Sequence, residues 1–178
     1  KTPNKAELNA RTSKLAELSA KEWDAQKDLI DPNSMPVTQL LNTRIDRVSR
    51  DRTEMEKLVM NYLNTDLICY RADNPEELVK RQDDIWQPWV EWFDDKYKAK
   101  LQTTSGLAAL KQDDKIHEAL AQHIREMDDD RFTILQMLTP ASGSIILAVA
   151  FVEGDAGEDD ILNSAFLEEN YKYDLYNE

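Results

Sequence analysis

The two histidines, His117 and His123, are the first residues to consider as metal ligands. They lie six residues apart in a predicted helix, and six steps of about 100° place them about 240° apart around its axis. They therefore point in different directions. His123 and Glu126 share a face, but zinc and calcium sites need more ligands than this pair supplies. No glycine-rich phosphate or dinucleotide loop is present, so the sequence predicts no metal and no cofactor.

Carboxylates are the most numerous reactive groups, since Asp and Glu account for 35 of the 178 residues. Adjacent acids such as Asp83-Asp84 would serve acid–base chemistry only if two converged in a pocket that drove their pKa values apart. In so acidic a chain they are more typical of solvated faces and helix starts. Ser142-Gly143-Ser144 does not match a nucleophile elbow, and the apolar neighbours of Cys69 favour a buried thiol. The chain is predicted not to be an enzyme, with an acid–base enzyme using clustered carboxylates as the alternative.

The net charge of −13 restricts the possible partners. Binding to phosphate backbones or to anionic membrane surfaces needs a basic patch, which this composition argues against. The apolar run over residues 145–152 is far shorter than the roughly 20 residues that cross a bilayer. The sequence therefore predicts a soluble protein that binds no nucleic acid and does not insert into a membrane.

Helical periodicity dominates the chain, and the low counts of Gly and Pro, four and six, favour long helices. The run over residues 145–152 is apolar on nearly all sides, which is typical of a helix in the middle of a bundle. Trp86, Trp89 and Trp92 spread over an arc of about 240°, so at least one should lie near the surface. Pro88 is expected to kink or divide their helix. The last third predicts helices over residues 113–127, 130–140, 142–153 and 159–173.

Two short segments favour strands. Residues 66–71 are rich in strand formers, and residues 100–104 alternate in polarity. The predicted fold class is mainly α, with a helical C-terminal bundle over residues 51–178 and a small α+β N-terminal part over residues 1–50.

Three blocks of motifs, in order along the chain, resemble the family of chaperones that assemble the F(1) head of ATP synthase by binding its alpha subunit. The first block holds Lys1-Thr2-Pro3, Glu22-Trp23-Asp24-Ala25-Gln26 and Met35-Pro36-Val37-Thr38. The second block holds Thr65-Asp66-Leu67-Ile68-Cys69-Tyr70-Arg71, Arg81-Gln82, Trp86 and Trp92. The third block holds Ser142-Gly143-Ser144-Ile145-Ile146-Leu147-Ala148 and Leu167-Glu168-Glu169-Asn170-Tyr171. The ordered match spans nearly the whole chain.

The resemblance implies a chaperone that binds the free alpha subunit as a monomer and prevents its aggregation until the beta subunit replaces it. It implies that residues 1–50 are the incomplete remnant of a β-containing domain, because the family has several strands before the Lys-Thr-Pro motif. It also implies a bacterial cytoplasmic location, with the mitochondrial matrix as the alternative. A general adaptor that binds helices is a further alternative function.

The C-terminal segment is the predicted partner-binding region, because it mixes acids with tyrosines in a way that suits recognition. The family's Trp-Gly-Glu motif is represented here by Tyr176-Asn177-Glu178, which implies a role for the terminal carboxylate. The predicted partner-binding residues are Glu168, Glu169, Tyr171 and Glu178.

Overall fold

A computed structural model describes residues 1–106 and 108–177 of the chain, residue 177 by its backbone only. These residues divide into two compact units, Lys1–Met55 and a second that begins at Glu56. The prediction of a mainly helical fold is confirmed. In chain order the helices are α1 (Ser13–Asp24), α2 (Pro36–Thr43), α3 (Ser49–Met60), α4 (Glu76–Tyr97), α5 (Asp114–Glu126), α6 (Asp129–Ser142), α7 (Ile145–Glu153), α8 (Glu158–Ala165) and α9 (Leu167–Asn177).

Hydrogen bonds from side chains fix the first unit. The Glu22 carboxylate on α1 accepts the N–H groups of Val37 and Thr38, each at 2.8 Å. It thereby satisfies two of the N–H groups that every helix N-terminus leaves without intrahelical partners. The hydroxyl of Thr2 donates to Asp46 at 2.7 Å in a buried contact. These polar residues of the first motif block therefore serve the packing of this unit.

The β component predicted for residues 1–50 is not observed. All fifty residues are described, and their regular structure consists of helices and turns. The chain turns back at Lys5, whose N–H donates to the Thr2 carbonyl at 2.9 Å and whose φ is 67°. Since the Thr2 hydroxyl and the Asn4 N–H both donate to Asp46, this first turn is tied to a helical segment, and no strand pairing forms there.

The two predicted strands are also wrong. Leu67–Cys69 form a short 3₁₀-helix that the Asp66 carboxylate begins by accepting the Ile68 N–H. Residues 66–71 and 100–104 meet in one isolated parallel bridge, between Tyr70 and Thr104. The apolar run 67–69 contains Ile68 and Cys69, which are both fully buried. Its apolar residue types are therefore explained by burial and do not indicate a strand.

Helix α7 is the centre of the second unit, as its apolar sequence predicts. Residues 145–150 are all completely buried, between α6, α4 and α8. Ser144 accepts the Leu147 N–H at 3.0 Å at the start of the helix, and Gly154, with φ of 82°, ends it. No helix in the described part of the chain is long and apolar enough to cross a membrane.

Helix α4 lies against this core and supplies Trp86, Val90 and Phe93 to it. The helix does not divide at Pro88, and α4 remains one helix of 22 residues. The buried side chains before and after Pro88 hold both halves of α4 against the same core. A break occurs instead within the predicted helix 159–173, where Phe166 (φ −105°, ψ 16°) separates α8 from α9.

Candidate partner-binding surface

Helices α8 and α9 carry an exposed stripe of large apolar side chains. Hydrogen bonds from the Phe166 N–H to Leu162 and from the Asn170 N–H to Phe166 keep the helical spacing through the break. Leu162, Phe166 and Tyr173 are 46%, 48% and 68% exposed. We call this stripe, together with Glu168, Glu169 and Tyr176, the α8–α9 surface. Spacings of four and seven residues place Leu162, Phe166 and Tyr173 on one side of the helix pair.

The predicted partner-binding residues take different positions on α9. Glu169 is exposed, Glu168 is half-buried, and Tyr171 is only 6% exposed. The Arg81 guanidinium of α4 lies 5.1 Å from the centre of the Tyr171 ring, so Tyr171 helps to dock α9 on α4. Glu178 lies outside the described residues.

A buried amide holds Glu168 in place. Gln82 of α4 is completely buried, and its Nε2 donates to Glu168 Oε1 at 2.9 Å. Its Oε1 accepts the Ala72 N–H at 2.7 Å, so both ends of the amide are used. Because donor and acceptor are both engaged, the amide cannot rotate away without losing two hydrogen bonds. The Glu168 carboxylate is therefore presented on α9 in a fixed position.

Residues of the second motif block continue this network below the surface. Arg71 donates to the Ile68 carbonyl at 2.7 Å and to the Gln82 carbonyl at 3.1 Å, and it lies over the Trp86 ring at 5.5 Å. The Trp86 indole N–H donates to the Ser164 carbonyl on α8 at 2.9 Å. These contacts connect α4 to α8 and to residues 68–71, which precede α4. They therefore fix the position of the helix that carries the first part of the α8–α9 surface.

A second set of contacts joins the C-terminal half of α9 to α4. Arg81 donates to Asp174 at 2.7 Å and to Glu77 at 2.9 Å. All three side chains are exposed enough that solvent screens the attraction, so each ion pair contributes little to stability by itself. Their effect is to orient α9, with Tyr173 and Tyr176 left accessible.

The titratable groups outside this surface form structural contacts. His123 lies between Tyr97 (2.6 Å) and Glu153 (3.2 Å), and Glu153 also pairs with Lys96 and Arg131. Burial would raise the pKa of Glu153, but these cations outweigh it and lower that pKa. Burial and the Glu153 charge raise the pKa of Tyr97, which makes its phenolate an unsuitable nucleophile. Within the described residues, no group of three or more His, Cys, Asp or Glu side chains could hold a metal ion.

Asp66 and Cys69 are the buried titratable residues of the second motif block. Burial raises the pKa of Asp66 to about 6, although Ser144 and the N–H groups of Ile146 and Ile68 stabilise its carboxylate. Cys69 is buried, as predicted, and its burial raises the pKa of the thiol. Asp66 therefore acts as an anchor for the start of α7.

Comparison with known proteins identifies the family. The sequence profile of the ATP12 chaperone protein matches residues 1–94. The crystal structure of Atp12 from Paracoccus denitrificans superposes with a TM-score of 0.91 at 32% identity, over 98% of this chain and 75% of that one. The chain belongs to the ATP12 chaperone family. A candidate chaperone from Agrobacterium tumefaciens superposes with a TM-score of 0.92, also at 32% identity, over all of this chain and 67% of that one.

Membership of the ATP12 family makes this protein a chaperone of ATP synthase assembly, in agreement with the resemblance of its motifs. The predicted partner-binding residues include acids of α9 but not the exposed apolar residues Leu162, Phe166 and Tyr173. Their spacing was a usable signal, since steps of four and seven residues place side chains on one helix face. This spacing does not identify a binding surface by itself, because Leu, Phe and Tyr at helical spacing are equally typical of a buried core.

Proposed function

We propose that this chain binds the free alpha subunit of ATP synthase through the α8–α9 surface and prevents its aggregation until the beta subunit replaces the chaperone. The observation that carries the proposal is the exposed apolar stripe of Leu162, Phe166 and Tyr173 on a firmly docked helix pair. Exposed apolar patches bordered by polar residues mark interaction sites, and aromatic residues are enriched among their energetic hot spots.

The acids beside the stripe determine the choice of partner in this proposal. Glu168 is fixed by Gln82, so it offers a positioned carboxylate to a cation of the client, whereas Glu169 is exposed and adapts to the client. Charged groups at the edge of an interface mainly steer encounter and exclude wrong partners. Tyr171 contributes by docking α9, and the Glu178 carboxylate is a further contact for the client.

A holder that another subunit must displace has to bind with moderate affinity. The α8–α9 surface is a narrow stripe, and small interfaces are typical of transient complexes. The chaperone acts as a monomer that covers an apolar subunit interface of the client. The beta subunit then displaces it because it buries more surface on the same client.

The test is light scattering of purified alpha subunit during dilution from denaturant, with this protein at equal molar ratio. We expect the unmodified protein to suppress scattering, and the triple variant Glu168→Gln, Glu169→Gln, Tyr173→Ser to suppress it much less. Glutamine at position 168 retains an acceptor for Gln82, so the variant should stay folded. Lysine there would place an ammonium group against the Gln82 amide N–H.

The matched control replaces two exposed acids of α5, Glu118→Gln and Glu126→Gln, with the same change in charge. Suppression by this control should equal that of the unmodified protein. Full suppression by the triple variant would refute the role of the α8–α9 surface, and no suppression by the unmodified protein would refute the alpha subunit as the client. Competition by an unrelated amphipathic helical peptide would favour a general adaptor instead.

A further inference from the structure

A small groove between α4 and α8 lies outside the α8–α9 surface. Its volume is about 260 Å³, below the roughly 300–1,000 Å³ of clefts that hold drug-sized molecules. It therefore fits one long side chain better than a cofactor. Its lining includes Ile85, Pro88 and Trp89 from α4, Ser164 from α8, and the two acids Asp84 and Asp160.

Ser164 lines the groove but is closed to solvent. The residue is completely buried, yet its hydroxyl makes no hydrogen bond within the described part of the chain. Its carbonyl is occupied by the Trp86 indole N–H, so the backbone at this position is fixed. A buried hydroxyl without a partner destabilises the folded protein, and such groups are rare in native structures. Because this hydroxyl oxygen has almost no accessible surface, a ligand in the groove does not reach it, and the groove offers its carboxylates and its indole ring instead.

The charges and the aromatic ring of the groove select a cation. Asp84 is exposed and pairs with no cation among the described residues, while Asp160 is held in place by accepting the Gly157 N–H at 2.8 Å. Trp89 is half-buried and contacts Trp92 edge-on at 6.4 Å. Indole faces bind cations better than other aromatic rings do, and a planar guanidinium both stacks on them and reaches carboxylates.

We propose that this groove is a receptor for an arginine side chain of a partner polypeptide. The guanidinium stacks on Trp89 and lies near the carboxylates of Asp84 and Asp160. The aliphatic part of the arginine covers the apolar side chains of Ile85 and Pro88. The proposal does not depend on the identity of the client, because the groove residues differ from those of the α8–α9 surface.

The probe is N-acetyl-arginine N-methylamide, titrated into the ¹⁵N-labelled full chain while the indole N–H resonance of Trp89 is followed by NMR. The resonance is assigned with Trp89→Phe. We expect a saturable shift with half-saturation at millimolar probe, since one side chain supplies only a small contact area. The citrulline analogue, which has nearly the same shape but no charge, should bind at least about tenfold more weakly. The lysine analogue should also bind more weakly than arginine.

Two variants test the groove directly. Asp84→Asn should weaken the arginine probe severalfold, whereas Asp95→Asn, about three turns further along α4, should not. Ser164→Ala should raise the thermal midpoint of unfolding, because it removes an unsatisfied buried hydroxyl, and should leave probe binding unchanged, because the probe does not reach that hydroxyl.

The proposal is overturned if the Trp89 resonance does not shift saturably, if citrulline or lysine binds as tightly as arginine, or if Asp84→Asn binds like the unmodified protein. No alpha subunit is present in this titration. A negative titration would therefore refute the arginine groove without affecting the proposed binding of the alpha subunit. A negative scattering assay would refute that binding without affecting the arginine groove.

Discussion

Replacing Gln82 with methionine should destabilise the second unit by about 2–4 kcal/mol. Methionine is close to glutamine in length and shape, so the substitution removes the amide while it retains most of the packing. Two hydrogen bonds disappear with the amide, the one accepted from the Ala72 N–H and the one donated to Glu168.

The magnitude follows from the groups left behind. The Ala72 N–H is half-buried, and a buried donor without a partner costs about 1–3 kcal/mol. The hydrogen bond to the Glu168 carboxylate contributes about 1.5–3 kcal/mol when its acceptor is charged, and less here because Glu168 is partly exposed. Water can hydrogen-bond to the Ala72 N–H and to the Glu168 carboxylate in the variant, because both residues are partly exposed. This recovers part of each free-energy loss and gives the range of about 2–4 kcal/mol.

The assay is guanidinium unfolding followed by tryptophan fluorescence in a Trp23→Phe background. The remaining three tryptophans all lie on α4, so the signal reports the second unit alone. Gln87→Met is the matched control, because Gln87 is on the same helix and, among the described residues, its side chain donates only to the exposed Glu91, at 3.1 Å. The control should lose less than about 0.5 kcal/mol. Equal losses in the two variants would refute the argument that Gln82 positions Glu168.

Two further predictions concern the centre of the second unit. Leu147→Ala should cost about 2–5 kcal/mol because Leu147 is completely buried, and Val152→Ala on the half-buried end of α7 should cost clearly less in the same unfolding assay. For Asp66, a pKa raised from 3.8 to about 6 means that the folded protein binds a proton more readily than the unfolded chain. Its contribution to stability should be complete below pH ~4 and should fall by about 3 kcal/mol as the pH rises through 6. The difference in unfolding free energy between the unmodified protein and Asp66→Asn should decline over this window, and a constant difference would contradict the raised pKa.

The helices could be predicted because their signals are local. Asp113 and Asp128 accept N–H groups at the starts of α5 and α6, and Gly154 follows the apolar run and ends α7 in the left-handed conformation. The strand prediction for residues 66–71 failed because it relied on residue types alone. The Leu67 N–H donates to the Gly143 carbonyl at 3.0 Å, a contact between residues 76 positions apart that no local pattern reveals.

The candidate surface could be predicted only in part for the same reason. Acids and tyrosines near the C-terminus are visible as composition, and they indicated α9. The contact between Gln82 and Glu168 spans 86 residues, and it alone separates a positioned carboxylate from the freely exposed Glu169. The near-complete burial of Tyr171 likewise depends on Arg81 of α4. Sequence pattern gives residue types on a face, and only packing decides which of them a partner can reach.

The distinction between buried motif residues and exposed surface residues decides how client binding should be tested. Cys69, Gln82 and Trp86, all part of the motifs that revealed the family, are completely buried. Substituting them would reduce client capture through loss of structure, and such a result would say nothing about where the client binds. Phe166 and Tyr173 lie outside those motifs and are about half exposed or more. A loss of capture on replacing them, with unfolding free energy unchanged, is therefore the result that would locate the client on this chain.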